Sequence, residues 1–211
     1  GFTTQFRFVT DMRDSEGKGR VTDLRTSSFE DAKGDTLDFL NQTLIDQTAT
    51  EDSKGTATRK DGGLAVMLAR PTKRELTVSA NALFPTQHVV KVIEAALAGS
   101  TVFQTPIYDG SSDGQKLYQT TTVIGRPVTS HDLSSEPVAD QAALKDVAAW
   151  PVTISYFEDK GIATGEGTPD YMVSMTLYQN GVSRRLTLDY GDFAIQATLV
   201  EMKPFDRKAC P

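Results

Sequence analysis

One cysteine, Cys210, and two histidines, His88 and His131, are all the thiol and imidazole metal ligands that this chain of 211 residues contains. Neither histidine sits in a His-x-x-x-His spacing and no cysteine pair exists, so the common zinc signatures are missing. No nucleophile elbow, glycine-rich phosphate loop or dinucleotide fingerprint is recognised. No apolar run reaches 18 residues, so no helical membrane span is expected. Concentrated positive charge is also missing. The 22 lysines and arginines are scattered among 28 aspartates and glutamates, for a net charge of -6, whereas a nucleic-acid backbone requires a dense basic face. Nucleic acid is therefore not an expected partner, and Arg184-Arg185 reads as a pair of solvated strand positions.

What the chain does contain is short alternation. Phe2, Thr4, Phe6, Phe8, Thr10 and Met12 fall on one face of an extended segment, with Thr3, Gln5, Arg7, Asp11 and Arg13 on the other. Further strands are expected over residues 20–30, 37–42, 56–60, 64–70, 75–79, 101–108, 116–124 and 150–157, separated by glycine-, aspartate- and proline-bearing turns. The last forty or so residues read as a three-stranded meander. In it, Asn180-Gly181 predicts a two-residue type I′ turn and Gly191-Asp192 the next one, and Phe193, Ile195, Ala197 and Leu199 direct one face to a core.

The period changes once, over residues 84–99. Val89, Val90, Ile93, Ala96 and Leu97 form a helical stripe there, with Thr86 as N-cap and Gly99 as terminator. Residues 127–149 read as a loop-rich excursion, with a weak helical stripe over 137–148, and residues 158–169 as an exposed loop. The sum is an all-β, antiparallel domain of about twelve strands with one clear helix. A single domain over residues 1–211 is the expected organisation, and its length suffices for a core without a metal.

Candidate chemistry is sparse. Asp189 and Asp192, three apart, could serve as an acid and base pair, but Asp-Tyr-Gly-Asp is also ordinary turn composition. Asp109-Gly110-Ser111-Ser112-Asp113-Gly114 has the oxygen-rich look of a calcium loop yet lacks the glutamate that an EF-hand places at its end, so a plain loop is expected. His88 falls in the first helical turn, where a protonated ring would oppose the helix dipole, so a neutral, packed role is expected. These residues define no catalytic, metal or cofactor site.

Leu83-Phe84-Pro85-Thr86-Gln87-His88 before the helix, Tyr108-Asp109-Gly110-Ser111 after it and Val123-Ile124-Gly125-Arg126 form an ordered set with Tyr178-Gln179-Asn180-Gly181-Val182 and Leu188-Asp189-Tyr190-Gly191-Asp192-Phe193. In order and spacing, over nearly the whole chain, they resemble the EipB-type periplasmic envelope-integrity family. The resemblance implies a spiral, broken β-barrel with a small helical hairpin, export to the periplasm of an alphaproteobacterium, and no enzymatic activity or cofactor. It also implies a disulfide between Cys210 and a cysteine just ahead of the segment matching Gly1-Phe2, so that one or more N-terminal strands and a signal peptide are expected outside this sequence. Such a bridge would stabilise by up to about 5 kcal/mol in the chain-entropy model. The expected function is support of envelope integrity by binding an envelope protein or lipid component. The alternatives are a lipid or lipoprotein carrier with an apolar lumen, and an envelope-polymer hydrolase that would have to use Asp189, Asp192 and His88.

Overall fold

The computed structural model describes residues 1–13, 16–60, 63–79, 82–128, 136–138, 142–158 and 167–205. Among them, twelve strands form two six-stranded sheets in which each strand pairs with its neighbours in chain order. The first sheet is β1 (Phe2–Arg13), β2 (Gly19–Glu30), β3 (Thr36–Ile45), β4 (Thr48–Lys60), β5 (Gly63–Arg70) and β6 (Arg74–Ser79). The helix α1 (Pro85–Leu97) follows. The second sheet is β7 (Val102–Ile107), β8 (Tyr118–Ile124), β9 (Ala149–Glu158), β10 (Tyr171–Tyr178), β11 (Ser183–Asp189) and β12 (Ala194–Ala197). Among the described residues neither sheet closes on itself, so each is an open, antiparallel sheet.

The chain divides into two compact units. Among the described residues the first holds Gly1–His88, Thr105–Gln119 and Glu158, and the second holds Val89–Gln104, Thr120–Phe157 and 167–205. In the first unit, Leu37, Phe39, Ala57, Leu64, Val66 and Leu68 from one face of β3 to β5 pack with Ala82, Phe84 and Tyr108. In the second, Val92 and Ala96 of α1 pack on Ile124, Trp150, Val152, Ile154 and Leu177.

Several local expectations are corrected. The buried helical stripe centres on Val92, at 1% exposure, whereas Val90 and Leu97 are 40% and 55% exposed. Thr86 does not cap the helix. Its own backbone N–H donates to the Glu30 carboxylate, and Pro85 takes the first helical position, where its missing N–H costs nothing. Gly99 terminates the helix as expected: at φ 77°, it donates to Ala96 O while Ser100 N–H reaches Ala95 O, the paired bonds of a Schellman motif.

The Asn180-Gly181 turn is not type I′, because only Gly181 has positive φ. Tyr178 N–H to Val182 O and Gly181 N–H to Tyr178 O enclose a three-residue loop, the form in which a type I turn is followed by a left-handed glycine. The face carrying Phe193 and Ile195 is only partly covered, with Phe193 45% exposed. The described residues of 136–148 are bends, turns and irregular chain, so no α-helix and no helical hairpin appears there among the described residues.

β4 begins at Thr48, eight residues earlier than its composition suggests. The preceding hairpin turns on Asp46 and Gln47, both at positive φ, a conformation usually supplied by asparagine or glycine. Asp46 Oδ1 accepts the Val21 N–H and its own N–H reaches Val21 O, which holds this turn against β2.

Candidate functional site

His88 is buried at 2% exposure in the first turn of α1, and burial pushes its pKa down to about 4, so the ring is neutral at ordinary pH. Asp189 Oδ1 accepts the Gly191 N–H at 2.8 Å, and Tyr190 N–H bonds Phe193 O at 3.0 Å, so this aspartate closes the β11–β12 turn. Asp192 is exposed beside it. Cys210 and His131 lie outside the described residues, as do residues 159–166 of the expected loop.

The loop from Asp109 to Gly114 is a packed plug. Ser53 Oγ donates to Gly110 O (2.7 Å), Asn41 Nδ2 to Asp109 O (3.3 Å), and the buried Tyr108 hydroxyl to Gly114 O (2.7 Å). Burial, with Asp109 and Asp113 nearby, raises the Tyr108 pKa. Gly110 and Gly114 both have positive φ, and a Cβ at either would collide with the Phe39 ring or the Leu68 side chain, so glycine is required twice over.

The same loop holds a Gly-x-Ser-x-Gly spacing centred on Ser112, at φ 58°. A nucleophile elbow needs a helix directly after the serine, and here the chain turns and enters β8. The aspartates are engaged locally. Asp109 Oδ1 accepts the Ser111 N–H, and Asp113 pairs with Arg74 at 3.2 Å and accepts the Gln115 N–H. Among the described residues no three His, Cys, Asp or Glu side chains are grouped to hold a metal.

Sequence reasoning missed two ionic clusters. In the second unit, Arg184 is 2% exposed. Its Nε donates to Glu136 Oε2 and its Nη1 to the Tyr178 hydroxyl at 3.0 Å. Glu136 Oε1 also accepts the Arg185 and Leu199 backbone N–H groups, at 3.3 and 3.4 Å. One buried carboxylate thus fixes β11 and the segment after β12. In the first unit, Arg7 and Arg25 lie directly opposite across β1 and β2, and Asp23 accepts from both guanidinium groups, at 2.9 Å and 2.6 Å for the closest atoms. Those bonds hold the Asp23 carboxyl well below the usual carboxylate range and offset the repulsion of the opposed cations.

The most distinctive surface is an aromatic ladder in the second unit. Tyr156 and Tyr171 stack at 4.4 Å, Tyr171 and Tyr190 at 5.9 Å, and Tyr190 and Phe193 at 5.0 Å. The register explains it: Tyr171 is opposite Tyr156, and the next residues in register place Tyr190 and Phe193 on the same rung. Two residues along, Ile154, Val173, Leu188 and Ile195 form a parallel apolar rung. Ile154 lies under α1, but Val173, Leu188 and Ile195 are only partly covered, and Tyr190 and Phe193 are 40% and 45% exposed. Partial burial raises the Tyr190 pKa.

The second sheet thus carries an aromatic rung on the face that packs against α1, partly covered at Tyr156 and Tyr171 and exposed at Tyr190 and Phe193, and the buried ionic groups have structural partners. The chain belongs to the EipB-like family, whose model matches residues 1–206. It is 38% identical over 206 residues to the cell envelope integrity protein EipB of Brucella abortus (strain 2308), spanning 98% of this chain and 71% of that protein. It also superposes on the crystal structure of a β-barrel-like protein of a domain of unknown function from Brucella abortus. There the TM-score is 0.88 and the identity 36%, covering 97% of this chain and 82% of the other. Among the described residues no helix is long and apolar enough to cross a membrane.

Proposed function

We propose that this protein supports cell-envelope integrity from the periplasm by binding another envelope component, without catalysing a reaction. The observation that carries the reading is the 38% identity, over 98% of the chain, to a protein named for envelope integrity. The side chains that a hydrolase would need support it further. His88 is neutral and buried, Asp189 closes a turn, and Ser112 lacks the helix that an elbow requires.

The test is complementation of a deletion strain under detergent stress. Asp189→Asn retains the oxygen that accepts the Gly191 N–H, and Asp192→Asn removes only an exposed charge, so both are expected to restore protection fully. Loss of protection by either variant, folded and exported normally, would return the carboxylates to a reactive role.

A carrier of small amphiphiles is the second reading. A hollow of about 330 Å³ in the first unit combines Phe29, Leu40 and Met67 with Asp38, Lys54 and Thr56. Solvent extraction of protein purified from its own envelope, followed by mass spectrometry, is expected to yield a stoichiometric amphiphile under this reading and none under the first where the bound component is a protein.

A further inference from the structure

We propose that an extended, arginine-bearing segment of a partner protein adds to the edge of β12 and stacks its guanidinium on Phe193, becoming the fifth member of the aromatic ladder. This rests on the binding function proposed above and names the chemistry of the partner. The ring spacings of 4.4, 5.9 and 5.0 Å bracket the roughly 4.8 Å separation of neighbouring strands, because Tyr156 and Tyr171 lie on adjacent strands and Tyr190 and Phe193 lie directly at the facing ends of the next two, flanking the β11–β12 turn. A strand added beside β12 would place one side chain at that same interval from Phe193, and only a flat group continues a stack.

Charge selects which flat group. Asp170, Asp189 and Asp192 lie at this end of the sheet, whereas Arg184 and the exposed Arg185 lie toward the other end of β11 and residues 167–183 and 186–200 contain no lysine or arginine. Arginine is the planar cation that both stacks on an aromatic face and pairs with carboxylates. Two residues along the added strand, an apolar side chain would meet Ile195, which is only partly covered.

β12 is the last strand of its sheet, so among the described residues its outer edge is unpaired. The chain that follows turns to the opposite end of β11. There Leu199 N–H bonds Glu136, and Leu199 and Met202 pack against Val138, Leu144 and Tyr178. The Phe193 end stays accessible. Main-chain pairing along such an edge supplies affinity, and alternate side chains supply specificity.

The full-length protein would be titrated with a capped synthetic peptide alternating threonine with arginine, valine and isoleucine, followed by amide NMR and calorimetry. Binding is expected to shift the Phe193 to Ala197 amides and to weaken with salt. It should weaken about tenfold or more when the peptide arginine is replaced by alanine, or in Phe193→Ala. Phe193 is half exposed, so that variant retains the fold, and Phe6→Ala on β1 is expected to bind normally. No binding at millimolar peptide, equal binding by the alanine peptide, or shifts confined to β1 would overturn the inference. The proposed function stands or falls separately, on complementation and extraction.

Discussion

The Glu30 carboxylate accepts the backbone N–H of Thr86 at 2.7 Å, across 56 residues of sequence. Its second oxygen accepts the Gln87 N–H at 3.2 Å. A side chain at the end of β2 thereby satisfies the Thr86 and Gln87 donors in the first turn of α1, where Pro85 has none, and places negative charge at the positive end of the helix dipole. Glu30 is 1% exposed, so removing it strands buried donors. Glu30→Ala is expected to destabilise by about 2 kcal/mol or more, measured by urea unfolding, with Glu30→Gln retaining part of the loss.

Arg184 and Glu136 form a buried pair at 1% and 5% side-chain exposure. Removing one partner leaves the other charge in a dry site, so Arg184→Met alone is expected to cost about 3–5 kcal/mol. Arg184→Met combined with Glu136→Leu should cost less than the sum of the two single changes. A strictly additive double-mutant cycle would contradict the coupling.

The helix offers an internal control. Val92→Asp buries an unpaired charge among Trp150, Val152 and Ile154 and is expected to destabilise by several kcal/mol. Val90→Asp, at a 40% exposed position, should change the unfolding midpoint little.

His88 predicts an acid-side loss of stability. Its folded-state pKa of about 4 lies below the ordinary 6.5, so the unfolded chain binds a proton first as pH falls. The contribution is complete above about pH 6.5 and is lost progressively down to about pH 4, by up to roughly 3 kcal/mol. Unfolding midpoints between pH 7.5 and 4 would show this slope in the parent and a flatter one in His88→Phe.

Fold class, strand number and helix position were legible because period-two alternation, glycine punctuation and one change of period are local signals. The rotated helix face was not. Val90 and Val92 are equally apolar, and only packing against Trp150 and Ile154 selects Val92. The start of β4 was hidden because Glu51-Asp52-Ser53-Lys54 reads as polar loop. In the structure Asp52 pairs with Arg70 and Ser53 bonds Gly110, partners that no short window contains. The buried Arg184 read as solvated for the same reason, since Glu136 lies 48 residues away. The ladder residues were visible singly, but their alignment depends on register across four strands.

Each sheet runs in strict chain order, from β1 to β6 and from β7 to β12. The main-chain ladder of an inner strand in such an arrangement is made with its predecessor and its successor. Force applied to the outermost strand would open its hydrogen bonds in sequence, like a zipper, and leave the next strand as the new edge. In the first sheet growth works the same way in reverse, one hairpin at a time, without long loops to close, which favours rapid assembly from local contacts, whereas the second sheet must first close the long connection between Ile124 and Ala149.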